Sequence, residues 1–302
     1  MVAKEDAVEA VAIRAAAEQD LAGIYEVYYL AAVGGEAQPA PQPSLFADIR
    51  HECRSGVASV AERGGRIEGF AALTIRGEVA FLSSLFVREE VRSQGLGRRL
   101  LAAVLPRDGK ILATVASADL RALSLYARAG MRPRWPVLLL RGTPTAAMAL
   151  PDSGVEPGQA DPDDQELALW DARCCGRPRP QDHAYWRQEE GAVSLLFRRG
   201  RETIGYGIVQ LGAGTLDEPG ACTIGPVGAL LPDDAAACVL AAVGWAAARS
   251  AVLRIDVPGP HHALAPLLAA GFRIIDQDTF CSSGLLPFVD SRCYVGSGGS
   301  LM

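Results

Sequence analysis

The residues of this 302-residue sequence whose types and spacing most clearly promise chemistry are Arg92-Ser93-Gln94-Gly95-Leu96-Gly97. They follow an apolar, strand-like run, Val79 to Val87, and precede Leu96, Leu100, Leu101, Val104 and Leu105, which recur at the spacing of one helical face, with Arg98 and Arg99 on the other. Glycines in such a turn let the backbone approach a ligand closely, and the first turn of a helix leaves amide N–H groups unpaired at the positive end of its dipole. Pyrophosphate is a ligand that suits such a place. A plain strand-to-helix turn uses two glycines in the same way, so the spacing alone leaves both readings open.

A second pattern follows some 35 residues later: Asp119-x-x-Ala122-x-x-Leu125-Tyr126-x-x-x-Gly130-Met131. In this order and at this spacing, the two patterns resemble the acetyl-CoA-binding motifs of the GNAT superfamily of N-acyltransferases. Two positions depart from that family's usual pattern, since Asp119 stands where Asn is common and Met131 where Phe is common. The resemblance implies that the backbone of Leu85, Phe86 and Val87, on a strand that splays from its neighbour, pairs with the pantetheine arm of acetyl-CoA. It also implies that Arg92, Ser93, Gln94, Gly95, Leu96, Gly97 and Arg98 hold the pyrophosphate, that Asp119 lies at the cofactor, and that an amine attacks the thioester directly. Tyr126 matches the tyrosine that in this family often protonates the departing CoA thiolate. A phenol with a pKa near ~10 suits that role, because a thiol is an acid of similar strength. Packing beneath the cofactor's sulphur is the alternative reading of Tyr126.

The base is less legible. The position where some family members carry Glu holds Phe81. Glu78, Ser83, Ser84, Glu36 and His51 are the remaining candidates, and an exposed amine can also lose its proton to water before it binds.

These residues need a scaffold of alternating strands and helices. The first half reads as a strand at Val11 to Arg14, a helix capped by Asp20, strands at Val57 to Glu62 and Ile67 to Ile75 joined by Arg63-Gly64-Gly65, and the strand Val79 to Val87. After the glycine turn and its helix come a strand at Ile111 to Val115, a helix from Asp119 to Gly130 and a closing strand at Val137 to Leu140. Between Arg141 and Asp164 the density of Pro and Gly marks a linker, with room for a short strand around Ala146 to Leu150. Beyond it the sequence repeats itself weakly. A shift of 141 residues lays Ser84-Leu85-Phe86-Val87 on Gly225-Pro226-Val227-Gly228 and Gly130-Met131 on Gly271-Phe272, while shifts of 136 and 144 align flanking elements. The expected architecture is therefore two tandem GNAT-like α/β (α+β) folds, each a mixed, mostly antiparallel sheet flanked by helices. Residues 1–142 form the acetyltransferase domain and 143–302 a degenerate repeat.

In the second half Arg92, Gln94, Gly95 and Gly97 become Asp233, Ala235, Ala236 and Cys238, and Tyr126 becomes Leu267. Asp233 and Asp234 are expected to cap their helix and to repel a pyrophosphate. One acetyl-CoA per chain follows, and a fragment ending near Pro151 is expected to bind it but to lose the acceptor. The segment Cys174 to Tyr185, with Arg177, Arg179, Asp182 and His183, reads as a solvated loop, and His261 and His262 as capping or surface residues.

Hydrophobic residues at 49% and charged residues at 21% describe a globular chain able to bury full cores. Seven cysteines lack CxxC spacing and nearby ligands, so reduced thiols and no metal are expected. No run approaches the ~18 apolar residues of a membrane span, and Met1 to Ala10 lacks a signal-peptide core, so a cytoplasmic setting is expected. A net charge of −6 disfavours nucleic acid and favours a cationic partner. The leading reading is acetyl transfer from acetyl-CoA to a primary amine of a small molecule or peptide. Alternatives are a non-catalytic acetyl-CoA-binding or sensing protein, and a thiol-cofactor acetyltransferase of the mycothiol type.

Overall fold

The computed structural model describes residues 10–33, 47–145, 148–161, 164–188, 191–212, 218 and 220–298. The first ten elements are β1 (Ala12–Ala15), α1 (Leu21–Val33), α2 (Ala47–Ser55), β2 (Val57–Arg63), β3 (Arg66–Arg76), β4 (Val79–Val87), α3 (Leu96–Val104), β5 (Ile111–Ala116), α4 (Leu120–Arg128) and β6 (Arg132–Gly142). The next ten repeat that order: β7 (Glu156–Gln159), α5 (Gln165–Cys174), α6 (Pro180–Gln188), β8 (Ala192–Arg199), β9 (Glu202–Gln210), β10 (Cys222–Ala229), α7 (Pro232–Ala247), β11 (Leu253–Pro258), α8 (Leu264–Ala269) and β12 (Arg273–Ser282). A short β13 (Tyr294–Val295) follows. Two tandem copies of one mixed α/β fold thus make up the chain. In the strand expected around Ala146 to Leu150, residues 148–150 form no strand, and Ala146 and Ala147 lie outside the described residues.

Compactness divides the chain differently from the repeat. One unit comprises residues 1–74 and 84–107, the other 75–83 and 108–302. In the first unit β1, β2 and β3 form an antiparallel ladder, with Ala12 opposite Glu62 and Val57 opposite Leu73. The β2–β3 hairpin closes through Gly64 and Gly65, both at positive φ, as a two-residue turn matched to strand twist requires. Leu96, Leu100, Leu101 and Val104 of α3 are buried. Gly69 admits this packing, because a Cβ there would stand 2.7 Å from the Phe86 carbonyl oxygen and 3.2 Å from the Leu100 side chain. Asp20 does not cap α1 in the manner expected. It closes a short 3-10 turn ahead of that helix, accepting from the Ala17 amide at 2.8 Å and from both terminal nitrogens of Arg14.

In the second unit the strands run β4-β5-β12-β6-β11-β10-β9-β8-β7, with β13 beside β10. The two copies exchange their last strands. β12 lies between β5 and β6, and β6 lies between β12 and β11. The exchange obeys the sequence shift: Thr279 pairs with Ala116, and the same pair displaced by 141 residues, Leu138 with Val257, is also present. Asp278 pairs with Val137, its own counterpart under that shift. The apolar core of this unit gathers around α7, whose Ala235, Cys238, Val239, Ala242, Val243 and Ala246 are inside. Among the described residues no helix is long and apolar enough to cross a membrane.

Candidate functional site

The strand-to-helix turn of the first repeat has the backbone that the glycines suggested. Gly95 is the N-cap of α3 in the left-handed region at φ 80°, and Ser93 also has positive φ, at 64°. A Cβ at Gly95 would force a conformation that L-residues avoid. The helix start has no side-chain cap and no acidic residue in its first turn. The Arg92 amide closes a short turn on Glu89 at 3.1 Å and the Arg99 amide bonds the Gly95 carbonyl at 3.2 Å. Between them, the amides of residues 93–98 engage no acceptor among the described residues. Six consecutive N–H groups without an acceptor at the positive end of a helix are the arrangement that an anion would require. Arg92 is itself held, its Nε donating to the Val87 carbonyl at 3.2 Å, while Ser93, Gln94 and Arg98 are exposed and Leu96 is buried as the helix's first anchor.

β4 leads into this turn. Its register with β5 ends at Leu82 opposite Thr114, where Thr114 Oγ1 donates to the Leu82 carbonyl at 2.8 Å, while β4 itself runs on to Val87. Leu85, Phe86 and Val87 occupy this extension and are half-buried. The Phe86 ring stacks on Phe70 at 5.6 Å and meets Tyr28 edge-on at 5.1 Å, so its side chain belongs to the core and only its backbone is available to a ligand. Phe81 lies in an apolar cluster with Val79, Ala113, Trp135 and Phe280.

Asp119 and Tyr126 frame α4 in the second unit. Asp119 caps the helix, accepting from the Arg121 amide at 2.8 Å, and its carboxylate is also paired with the Arg121 guanidinium at 2.9 Å. That carboxylate is thereby committed to its own helix. Tyr126 is buried, and burial first, then the nearby Cys281 and Asp119, push its phenol above the ordinary tyrosine range. A tyrosine is protonated at neutral pH in any case, and the shift makes this phenol a weaker acid. Gly130 at φ 89° ends the helix, with the Met131 amide reaching back to the Tyr126 carbonyl.

The candidate bases fare unequally. Glu78 is exposed and pairs with Lys110 at 3.2 Å. His51 meets Ser55 of its own helix at 3.4 Å. The Ser83 hydroxyl is enclosed without a hydrogen-bond partner among the described residues. Glu36 lies outside the described residues. Ser84 donates to a residue that the sequence reading passed over, Glu52, whose Oε2 accepts its hydroxyl at 2.7 Å. Glu52 is wholly buried on α2, and nothing in the sequence around Arg50-His51-Glu52-Cys53-Arg54 distinguishes it from a solvated helix face.

The corresponding turn of the second repeat is built otherwise. α7 starts after Leu231, with Pro232 in its first turn and no side-chain cap. Asp233 and Asp234 occupy the first turn and do not cap through a hydrogen bond as expected. They meet the dipole by charge, and Asp234 also pairs with Arg199 at 2.7 Å and Asp233 with His262 at 2.9 Å. β13 pairs with β10 at Val227 and Gly228, the counterparts of Phe86 and Val87.

The segment expected as a solvated loop is the last residue of α5, a connection at 175–179 and the start of α6, and its charges are inside rather than solvated. Arg179 donates to both carboxylate oxygens of Asp171, at 2.6 and 2.9 Å, and to the Tyr294 hydroxyl at 2.8 Å. His183 meets Asp171 at 3.0 Å, the Tyr206 hydroxyl donates to the same carboxylate, and Arg76 donates to Asp182 at 2.6 Å. Burial alone would raise the Asp171 pKa, but the charges and hydrogen bonds of Arg179 and His183 hold it well below the carboxylate range. The periodicity of this segment gives no apolar face, and only mutual pairing makes its burial affordable. His261, expected as a capping or surface residue, is buried. Its Nδ1 accepts from the Ala263 amide at 3.2 Å, and burial lowers its pKa to about 4. The seven cysteines are free thiols, six of them buried.

The ten-element fold occurs twice along the chain, and the turn after its fourth strand leaves its amides open in the first copy and is built around Pro232, Asp233 and Asp234 in the second. Residues 19–131 match the acetyltransferase (GNAT) family, and the chain as a whole shares its fold with solved GNAT-fold structures, a tandem GNAT protein among them. The fold is shared with a Pyrococcus horikoshii protein assigned to the acetyltransferases, at TM-score 0.74 and 15% identity over 100% of this chain and 99% of that one. A GCN5-related N-acetyltransferase from Sphaerobacter thermophilus aligns at TM-score 0.60 and 18% identity, over 94% and 98% of the two chains. A tandem GNAT protein from the clavulanic acid biosynthesis pathway aligns at 0.59 and 18%, over 92% and 100%. None of the curated proteins matches the sequence.

Proposed function

We propose that the chain transfers the acetyl group of acetyl-CoA to a primary amine of a small molecule or peptide, and that only the first repeat, within residues 1–142, holds the cosubstrate. The observation that carries this reading is the run of unengaged amides from 93 to 98 around a left-handed Gly95. These amides would receive the pyrophosphate, with Arg92 and Arg98 adding charge, and the backbone of Leu85 to Val87 would pair with the pantetheine arm. By family resemblance Tyr126 donates the proton to the leaving thiolate; burial, which raises its pKa, makes the phenol a weaker acid than the thiol match assumed, so the resemblance and not the shift supports this role. Asp119, occupied by its own helix, is a weaker candidate for cofactor contact than the resemblance implied.

The test is calorimetry with acetyl-CoA together with a screen for free-CoA release across a panel of primary amines. One site per chain and release dependent on an amine are expected. Two equivalent sites would remove the assignment to the first repeat. Binding without release on any amine would favour a sensing role, the reading that Phe81, packed in an apolar cluster where some relatives carry Glu, supports. Acetylation of a thiol-cofactor precursor alone would favour the mycothiol-type reading.

A further inference from the structure

We propose that Ser84 and Glu52 form the proton-accepting relay for the acceptor amine, with Ser84 Oγ meeting the substrate nitrogen and Glu52 receiving its proton. This rests on the acetyltransferase reading and supplies the base that Phe81 does not. An ionised carboxylate is costly to bury and is retained where it is paired or used. Glu52 has no solvent exposure, and α2 presents its Oε2 to the Ser84 hydroxyl at 2.7 Å, which donates to it. Ser84 immediately precedes Leu85 to Val87 on β4, the segment proposed to hold the pantetheine arm. The hydroxyl is therefore on the strand that would carry the thioester, and the carboxylate stands behind it.

The second repeat offers an internal control. The counterpart of Ser84 is Gly225, so the copy whose turn carries Asp233 and Asp234 also has no hydroxyl at this strand position. The chain keeps the hydroxyl and the open turn in the same copy.

A buried acidic relay specifies the acceptor as an amine that arrives protonated. The ammonium gives one proton to Ser84 Oγ as the Ser84 proton passes to Glu52 Oε2. The freed lone pair forms a C–N bond at the thioester carbonyl, and the C–S bond breaks. The second proton lost by nitrogen balances the one taken up by the thiolate, and Glu52 returns its proton through Ser84 once the product has left. The products are an amide, free CoA and one proton. In this scheme Ser84 is the catalytic residue, and Glu52 acts through it.

The experiment compares the full-length chain with Glu52→Gln, Glu52→Asp, Ser84→Ala and the Glu52→Gln/Ser84→Ala double variant, using the primary amine that gives the fastest CoA release. Glu52→Gln and Ser84→Ala are each expected to lower kcat at least 30-fold while acetyl-CoA Kd stays within threefold. The double variant should be no slower than the slower single one, and Glu52→Asp should recover part of the loss. Should Glu52→Gln fail to fold, Ser84→Ala decides by the same kcat and Kd criteria. Wild-type turnover in either single variant, losses that multiply in the double, or a loss carried wholly by acetyl-CoA affinity would overturn the relay alone. Absence of turnover by the unaltered chain on every amine would overturn the acetyltransferase reading and the relay with it.

Discussion

Two strand-to-helix turns at corresponding positions of the two repeats show how a fold can be kept while a ligand site is lost. Before α3 the chain passes through Ser93 and Gly95 at positive φ and leaves its amides open. Before α7 it passes through Leu231-Pro232-Asp233-Asp234, where Pro sets the first turn and two carboxylates face the dipole. The second arrangement is the better helix start by ordinary stability rules, since each acid near a helix N-terminus contributes ~0.3–1 kcal/mol. The first leaves a terminus unsatisfied, and such a terminus has a use only if something else arrives to satisfy it. The strands before the two helices differ in the same sense. β10 carries β13 along Val227 and Gly228, whereas no third strand among the described residues pairs with β4. The second repeat has thus filled with its own chain the edge at which, in the first, we place the pantetheine arm.

The largest expected effect tests whether either repeat is independent. Sequence alone suggests that a fragment ending near Pro151 keeps acetyl-CoA binding. The strand exchange changes that expectation, because the cut removes β11 and β12 and strips β6 of both its neighbours and β5 of one. Exposed strand edges bearing Val137, Leu138 and Leu140 invite aggregation. The fragment should be insoluble or should lack a cooperative thermal transition, and adding residues 152–302 in trans should restore solubility. A soluble fragment with a sharp transition would show that the exchange is dispensable.

The next effect is on the turn itself. Gly95→Asp imports into the first repeat both the side chain and the charge that occupy the second, and it strains a left-handed position. Acetyl-CoA affinity should fall at least 100-fold by calorimetry, about 2.7 kcal/mol, with the melting temperature changed by a few degrees at most. Unchanged affinity would mean that the open amides are not the cradle. Smaller again is Tyr126→Phe, whose counterpart Leu267 already lacks a hydroxyl. It should lower kcat by tenfold or more and leave acetyl-CoA affinity nearly intact, since the proton is used only at thiolate departure. Unchanged turnover, with chemistry shown to limit the rate, would return Tyr126 to packing.

Much of this was legible in the sequence because it is written locally. β4 runs from Val79 to Val87 as the apolar run does, Gly64-Gly65 closes the β2–β3 hairpin, and Gly95 and Gly130 take positive φ at helix ends. The duplication was legible as a shift, though not the exchange of β6 and β12, because a strand's partner leaves no local signature when both sequences fit the same sheet. What stayed hidden was buried charge. Arg179, Asp171 and His183 read as polar, and so did Glu52, since their burial depends on partners 8 to 32 residues away. The signal that could have found them is pairing across elements, which periodicity does not record.

The smallest expected effect compares the exchanged strands. Val137 on β6 and Asp278 on β12 are counterparts and lie directly opposite each other. One is apolar and the other is a carboxyl whose pKa is raised to about 7, chiefly by burial, then by Asp276 and Asp256. Asp256, opposite Leu139, is raised to about 6 for the same leading reason. A carboxyl with a raised folded pKa is protonated in the native state where the unfolded chain has already ionised. The folded state therefore binds more protons between about 3.8 and about 7, and stability must fall as pH rises through that window. Asp278→Asn fixes the uncharged form. It should leave stability nearly unchanged at pH 4 and raise it by roughly 1 to 2 kcal/mol at pH 8, a value discounted for the partial solvent access of the site. In a domain of this size that is a few degrees in Tm. Thermal scans of both proteins from pH 4 to pH 8 give the answer directly: the two curves should coincide at the acid end and separate above about pH 6. Parallel curves would show that Asp278 carries no buried charge and that the two exchanged strands are electrostatically alike.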